Sequence, residues 1–118
     1  MKRQPDFPCS GLLYLAGLKA LLEKDFSEAG RLFETSLRAD VRRHRAWCNL
    51  GVARFHEKNL EQAIFAMEQA ASLAPGEAGY FKNLEVFCWK AFWQHPAKNW
   101  RYFGRARKAG RDGRKIGG

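Results

Sequence analysis

Between Trp47 and Pro75 the apolar positions follow two helical periods, broken at Lys58-Asn59. In the first, Trp47, Leu50, Gly51 and Arg54 share one face. In the second, Ala63, Met67 and Ala70 recur at the i, i+4, i+7 spacing of an amphipathic helix. Gly51 and Ala63 place small residues where two helices would have to approach closely. Pro75 closes the second helix, because proline lacks an N–H and clashes with the preceding turn. The pattern returns 34 residues upstream: Leu13, Ala16, Gly17 and Ala20 align with Trp47, Leu50, Gly51 and Arg54. Ala29, Phe33 and Ser36 then align with Ala63, Met67 and Ala70, and the turn Lys24-Asp25-Phe26 with Lys58-Asn59-Leu60. Ser10 and Ser27 are candidate N-caps for the two helices of this copy. The same step downstream aligns Phe81, Leu84, Glu85 and Cys88 with the first half of the pattern, Glu85 replacing the small residue. Its second half is degenerate, with Ala97, Arg101 and Gly104 at the key positions and a fresh helix start at His95-Pro96. The spacing predicts six helices, over about 10–24, 27–39, 43–58, 60–74, 77–93 and 96–108.

Trp47, Leu50 and Gly51, the Ala63-x3-Met67 pair and Pro75 resemble the tetratricopeptide-repeat pattern, W-x2-L-G-x2-Y, A-x3-F and P in a 34-residue helix–turn–helix unit. Arg54 stands at the Tyr position and Met67 at the Phe position. The resemblance is strong over residues 11–75 and weak after Ala91. It implies an all-α fold, an α-solenoid of three repeats over about 10–42, 43–76 and 77–108, with an irregular lead at 1–9. The helix from Pro96 would act as a capping helix, since terminal repeats are atypical. Residues 109–118, with four glycines, are expected to form a disordered basic tail.

Charge is unevenly spread. Residues 98–118 carry eight Lys/Arg (Lys98, Arg101, Arg105, Arg107, Lys108, Arg111, Arg114 and Lys115) against Asp112 alone, out of a net charge of +9. The remaining 97 residues are nearly balanced, with 13 basic and 11 acidic side chains. Trp100, Tyr102 and Phe103 interleave with these cations, so the segment suits phosphates and bases, an anionic membrane surface or an acidic protein. Cys9, Cys48 and Cys88 are too far apart for a zinc motif and odd in number, which reads as reduced thiols in a cytoplasmic protein. The apolar run Gly11–Leu18 is too short to span a bilayer, and Lys19 cuts it; it reads as a core helix, without a transmembrane segment.

No nucleophile elbow, phosphate-binding loop, dinucleotide fingerprint or zinc-protease motif is present, so neither catalysis nor a cofactor is expected. His44 and His56 lie at opposite ends of one predicted helix, about 18 Å apart, and cannot share a metal. The resemblance instead implies a non-catalytic adaptor whose first helices line a concave groove for a partner segment. The groove candidates are Arg45, Asn49, Val52, Phe55 and His56 in the second repeat, and Lys82, Asn83, Val86, Trp89 and Lys90 in the third. Gly11, Tyr14, Leu15, Leu18, Leu21 and Leu22 make the first repeat's part more apolar. Side-chain amides can pair with a peptide backbone and the cations with carboxylates, so an acidic or amphipathic protein segment is the expected partner. The two-carboxylate clamp of chaperone-binding family members is not reproduced, because only Asn49 matches its ligands. Arg42, Arg43, His44 and Arg45 cluster where the third helix starts, against the helix dipole. Phe92, Trp93 and Trp100 offer apolar surface for pairing between copies of the chain.

Overall fold

A computed structural model describes residues 10–117, which form six helices and no strand. They are α1 (Ser10–Leu22), α2 (Phe26–Ala39), α3 (His44–His56), α4 (Leu60–Leu73), α5 (Ala78–Gln94) and α6 (Arg101–Gly117). Each helix packs chiefly on its neighbours in sequence, so α1–α2, α3–α4 and α5–α6 are three antiparallel pairs stacked in a row. The body is elongated, 50 × 28 × 24 Å. Cys9 and the lead lie outside the described residues, as does Gly118.

Small residues set how closely each pair approaches. A Cβ added at Gly17 would sit 2.6 Å from the ring of Phe33, and one at Gly51 would sit 3.1 Å from the Ala63 carbonyl oxygen. Phe33 and Met67 are fully buried against these glycines. In the third pair the sizes are exchanged. Glu85 occupies the position of Gly17 and Gly51, and the small partner is Gly110 on α6, where a Cβ would come within 2.6 Å of the Glu85 carboxylate. Gly113 fits under Phe81 in the same way. Two hydrophobic clusters result, one among α1, α2 and α3 with Ala66 of α4, and one among α4, α5 and α6. Half-buried Trp47 touches both, and its Nε1 donates to the Val41 carbonyl at 2.8 Å.

The turns inside the first two pairs are alike. Lys24 and Lys58 adopt left-handed backbone, with φ of 63° and 70°. The amides that follow them, of Asp25 and Asn59, reach back to the carbonyls of Ala20 and Arg54. This is the hydrogen-bonding pattern that closes a helix through a left-handed residue. Asp25, not Ser27, caps α2, its carboxylate accepting from the Glu28 amide; Asn59 caps α4 the same way through the Gln62 amide.

The sixth helix departs from expectation. It starts at Arg101 rather than Pro96 and continues to Gly117, so residues 109–117 are helical where a disordered tail was expected. Residues 95–100 form a connection closed by Asn99, whose side chain donates to the Ala91 carbonyl at 2.8 Å. The physical reason lies in Tyr102, Ala106, Ala109 and Gly113, spaced 4, 3 and 4 residues apart. The first three are buried and Gly113 is half-buried, a small-residue stripe that seats α6 on α5. Arg105 is tied to Glu68 of α4 at 2.6 Å, and Arg101 lies 4.0 Å from Glu61.

Candidate interaction surface

The first helices of the three pairs, α1, α3 and α5, share one face of the stack. Equivalent positions 34 residues apart define it: Leu15, Asn49 and Asn83; Leu18, Val52 and Val86; Leu22, His56 and Lys90; with Arg45 and Gly79 at the far end. Leu15, Leu22, Arg45, His56, Val86 and Lys90 are exposed along it; Leu18, Asn49, Val52 and Asn83 are half-buried. These positions contain no carboxylate, while Arg45 and Lys90 are cationic.

Polar groups on this face are held in place. The Asn49 side-chain amide donates to the Tyr14 hydroxyl at 3.0 Å, joining α3 to α1 and leaving its carbonyl oxygen without a partner among the described residues. Burial pushes the Cys48 thiol of α3 up to about 11, against a smaller lowering effect of Asn83 on α5, so the sulfur stays protonated at neutral pH. His44 Nδ1 and the Tyr80 hydroxyl lie 2.8 Å apart, with their rings edge to face. Burial, with smaller contributions from Cys48 and Glu77, raises the Tyr80 phenol to about 12. His44 is therefore committed to a partner within the fold. The Arg43 guanidinium likewise donates to the Ser10 hydroxyl at 2.9 Å and lies 5.7 Å from the Tyr14 ring centroid. Half of the basic cluster at the start of α3 thus serves the fold, while Arg42 and Arg45 are exposed.

Not all ten expected groove residues share this face. Phe55 is stacked on Phe87 at 4.5 Å with the rings nearly parallel, inside the α3–α5 contact, and Lys90 Nζ lies 6.0 Å from its centroid. His56 is stacked on Phe26 at 4.4 Å, at the edge of the face towards α2. Lys82 and Trp89 occupy the positions of Cys48 and Phe55, which in the preceding pair face the next helix. Lys82 accordingly lies with Gly113 and Arg114 of α6, and Trp89 packs edge-on against Phe103 at 5.3 Å. The positional equivalence of Cys48 with Lys82 was the available signal.

A second depression was not expected. On the side away from this face, α2, α3 and α4 enclose a groove of about 750 Å³. Its apolar walls include Leu37, Val41, Trp47 and Phe65, with Arg38, Glu34, Arg54 and Gln62 as polar lining. Phe65 and Val41 are 55% and 60% exposed. Arg54 closes one wall, bonded to Glu34 and Glu57 at 2.7 and 2.6 Å. Its guanidinium covers Gly30, where a Cβ would come within 2.5 Å of it. No helix among the described residues is long and apolar enough to cross a membrane.

Stacked antiparallel helix pairs of this kind define an α-solenoid. The tetratricopeptide-repeat family model matches residues 44–77, the second pair. Solved structures extend the likeness across the chain. The TPR domain of Sgt2 from Aspergillus fumigatus is 19% identical, with a TM-score of 0.75, covering 91% of this chain and 65% of its own. MamA from Desulfovibrio magneticus RS-1 is 24% identical, with a TM-score of 0.69, covering 92% of this chain and 59% of its own. A chain of the CopN-Scc3 complex is 17% identical, with a TM-score of 0.73, covering 88% of this chain and 56% of its own. This chain thus spans roughly three fifths of the length of such structures. No curated protein matches the sequence. Residues 44–77 thus match the tetratricopeptide-repeat family, and the whole chain has the fold of tetratricopeptide-repeat structures. That family is in general a non-catalytic, protein-binding scaffold.

Proposed function

We propose that this protein is a cytoplasmic adaptor that holds an extended acidic or amphipathic segment of a partner protein along the face of α1, α3 and α5. The single observation that carries the reading is the composition of that face. It grades from exposed Leu15 and Leu22 on α1 to Arg45, Asn49, Asn83 and Lys90 on α3 and α5, with no carboxylate at these positions. An amphipathic segment would set its apolar residues on the leucines and its carboxylates near Arg45 and Lys90. Asn49 offers its carbonyl oxygen to a backbone N–H, already oriented by Tyr14.

The test is capture of partners and of arrayed acidic peptides by the full chain, compared with an Asn49→Ala/Lys90→Glu variant and with Phe65→Glu in the rear groove. The double variant is expected to lose at least tenfold in affinity, since charge-assisted contacts are each worth about 1.5–3 kcal/mol. Phe65→Glu is expected to leave binding unchanged. The reverse result moves the site to the groove between α2 and α4.

A further inference from the structure

The sixth helix carries a surface distinct from the face of α1, α3 and α5. Its buried side is filled: Tyr102, Ala106 and Ala109 lie against α5, and Arg105 is paired with Glu68. The solvent side is mostly cationic. Arg107, Lys108, Arg111, Arg114 and Lys115 are all exposed. Only Lys108 has a carboxylate within reach among the described residues, that of Asp112 at 2.8 Å. The other four make no ion pair within 4 Å among the described residues, and they lie within about 12 Å of helix axis at 1.5 Å per residue.

This cationic face is continuous with aromatic surface. Trp100, Gly104, Arg107, Arg111 and Arg114 are spaced 4, 3, 4 and 3 residues apart, so Trp100 precedes the same stripe by one turn. It is 71% exposed. The Arg107 guanidinium lies 5.8 Å from the ring centroid of Phe103, itself 40% exposed. Phe103 packs on Phe92 at 5.5 Å, and Phe92 on exposed Trp93 at 4.9 Å.

We infer that the exposed face of α6, with Trp100, binds single-stranded nucleic acid, RNA or DNA. The chemistry that recognises a single strand is a row of cations for its phosphates beside aromatic faces on which bases stack. Arginine, the majority cation here, grips phosphate through paired N–H groups. A helix that lies in a lipid surface must insert its apolar side, and the apolar side of α6 is occupied by α5. Duplex bases are already stacked on one another, which leaves the exposed indoles without a role there.

The test is fluorescence anisotropy of the full chain with labelled oligouridylate and oligodeoxythymidylate of about 15 nucleotides, within the usual range of single-strand site sizes. With four phosphates neutralised, log K is expected to fall against log salt with a slope of about −2.8, at about 0.7 per phosphate. Arg107→Gln/Arg111→Gln is expected to flatten that slope by about 1.4. Trp100→Ala is expected to weaken binding by at least about fivefold, the lower end of the loss of one stacked base. Lys24→Gln, at the opposite end of the molecule, should change nothing. All substituted side chains are exposed, and circular dichroism checks that the helices persist. A slope unchanged by the double glutamine variant overturns the inference, as does the absence of binding at about 50 mM salt. Equally tight binding of a polyglutamate peptide or of anionic phospholipid vesicles also overturns it, because the surface is then a general anion patch.

Discussion

Replacing Gly17 by Ala tests whether close approach, rather than backbone freedom, explains the glycines of the first helices. Gly17 lies inside α1, where alanine is intrinsically better than glycine by about 0.8–1 kcal/mol. Helix propensity alone therefore expects stabilisation. The packing says otherwise. The new methyl would sit 2.6, 2.8 and 3.0 Å from three carbons of the Phe33 ring. Carbon atoms prefer about 3.5–4.0 Å, so something must move by most of an ångström. Phe33 is fully buried and its ring contacts Tyr14 at 5.8 Å, so the ring has no free space to retreat into. Overpacking of this kind costs about 1–3 kcal/mol. The net expectation is destabilisation by up to about 2 kcal/mol, read as a lower midpoint in urea or thermal unfolding followed by circular dichroism. Gly104→Ala is the matched control: it lies in α6, where a Cβ meets nothing within 4 Å, and is expected to stabilise by up to about 1 kcal/mol. Phe33→Leu in the Gly17→Ala background should recover part of the loss, giving a non-additive cycle. A Gly17→Ala protein as stable as Gly104→Ala would refute the packing argument.

Other consequences follow from the same geometry. Lys58→Gly and Lys24→Gly remove a side chain from left-handed backbone, and each should stabilise by about 0.5–1 kcal/mol, the left-handed cost less glycine's added unfolded-state entropy; Lys58→Ala, which keeps the Cβ, should be neutral in the same melt. Cys48 and Cys88, both raised to about 11 by burial, should alkylate about 100-fold more slowly than a free cysteine at pH 8, with rates climbing as pH rises towards 11; peptide mapping after iodoacetamide reads this. Truncation after Lys108 should destabilise by on the order of 1–2 kcal/mol, about 0.8 kcal/mol per buried methyl-sized group lost from Ala109 and under Phe81, whereas removal of a disordered tail would cost nothing.

The helix pairs were legible because their spacing repeats. Gly17 with Phe33 and Gly51 with Met67 recur at one interval, and three-residue turns join the helices at 23–25 and 57–59. The third pair escaped that register for two physical reasons. Its first helix has 17 residues against 13 in α1 and α3, and its connection spans residues 95–100. The sixth helix therefore starts seven residues later than the 34-residue step implies. In the sequence Gly110 and Gly113 favour disorder, because glycine weakens an isolated helix. In contact with Glu85 and Phe81 they are what lets α6 approach. The face of α1, α3 and α5 was half legible. Asn49, Asn83, Val52 and Val86 lie on it, but a single sequence does not say how wide a helical arc is left uncovered. Phe55 falls on the flank where α3 meets α5, and Lys82 and Trp89 on the flank of α5 that meets α6. The rear groove was not legible at all, since it depends on how α2 and α4 are spaced across α3.

The exchange of large and small residues between α5 and α6 bears on lengthening the protein. A duplicate of residues 43–76 placed after Gly76 keeps glycine on the first helix and a bulky residue on the second, so the copy of α3 would dock on α4 as α3 docks on α2, and the next junction repeats that of α4 with α5. A duplicate of residues 77–117 carries the opposite arrangement, and its first helix would have to dock on the arginine-rich outside of α6. Growth of the array is therefore permissible in its middle and obstructed after its third pair, which makes the second repeat the unit from which longer versions can be built.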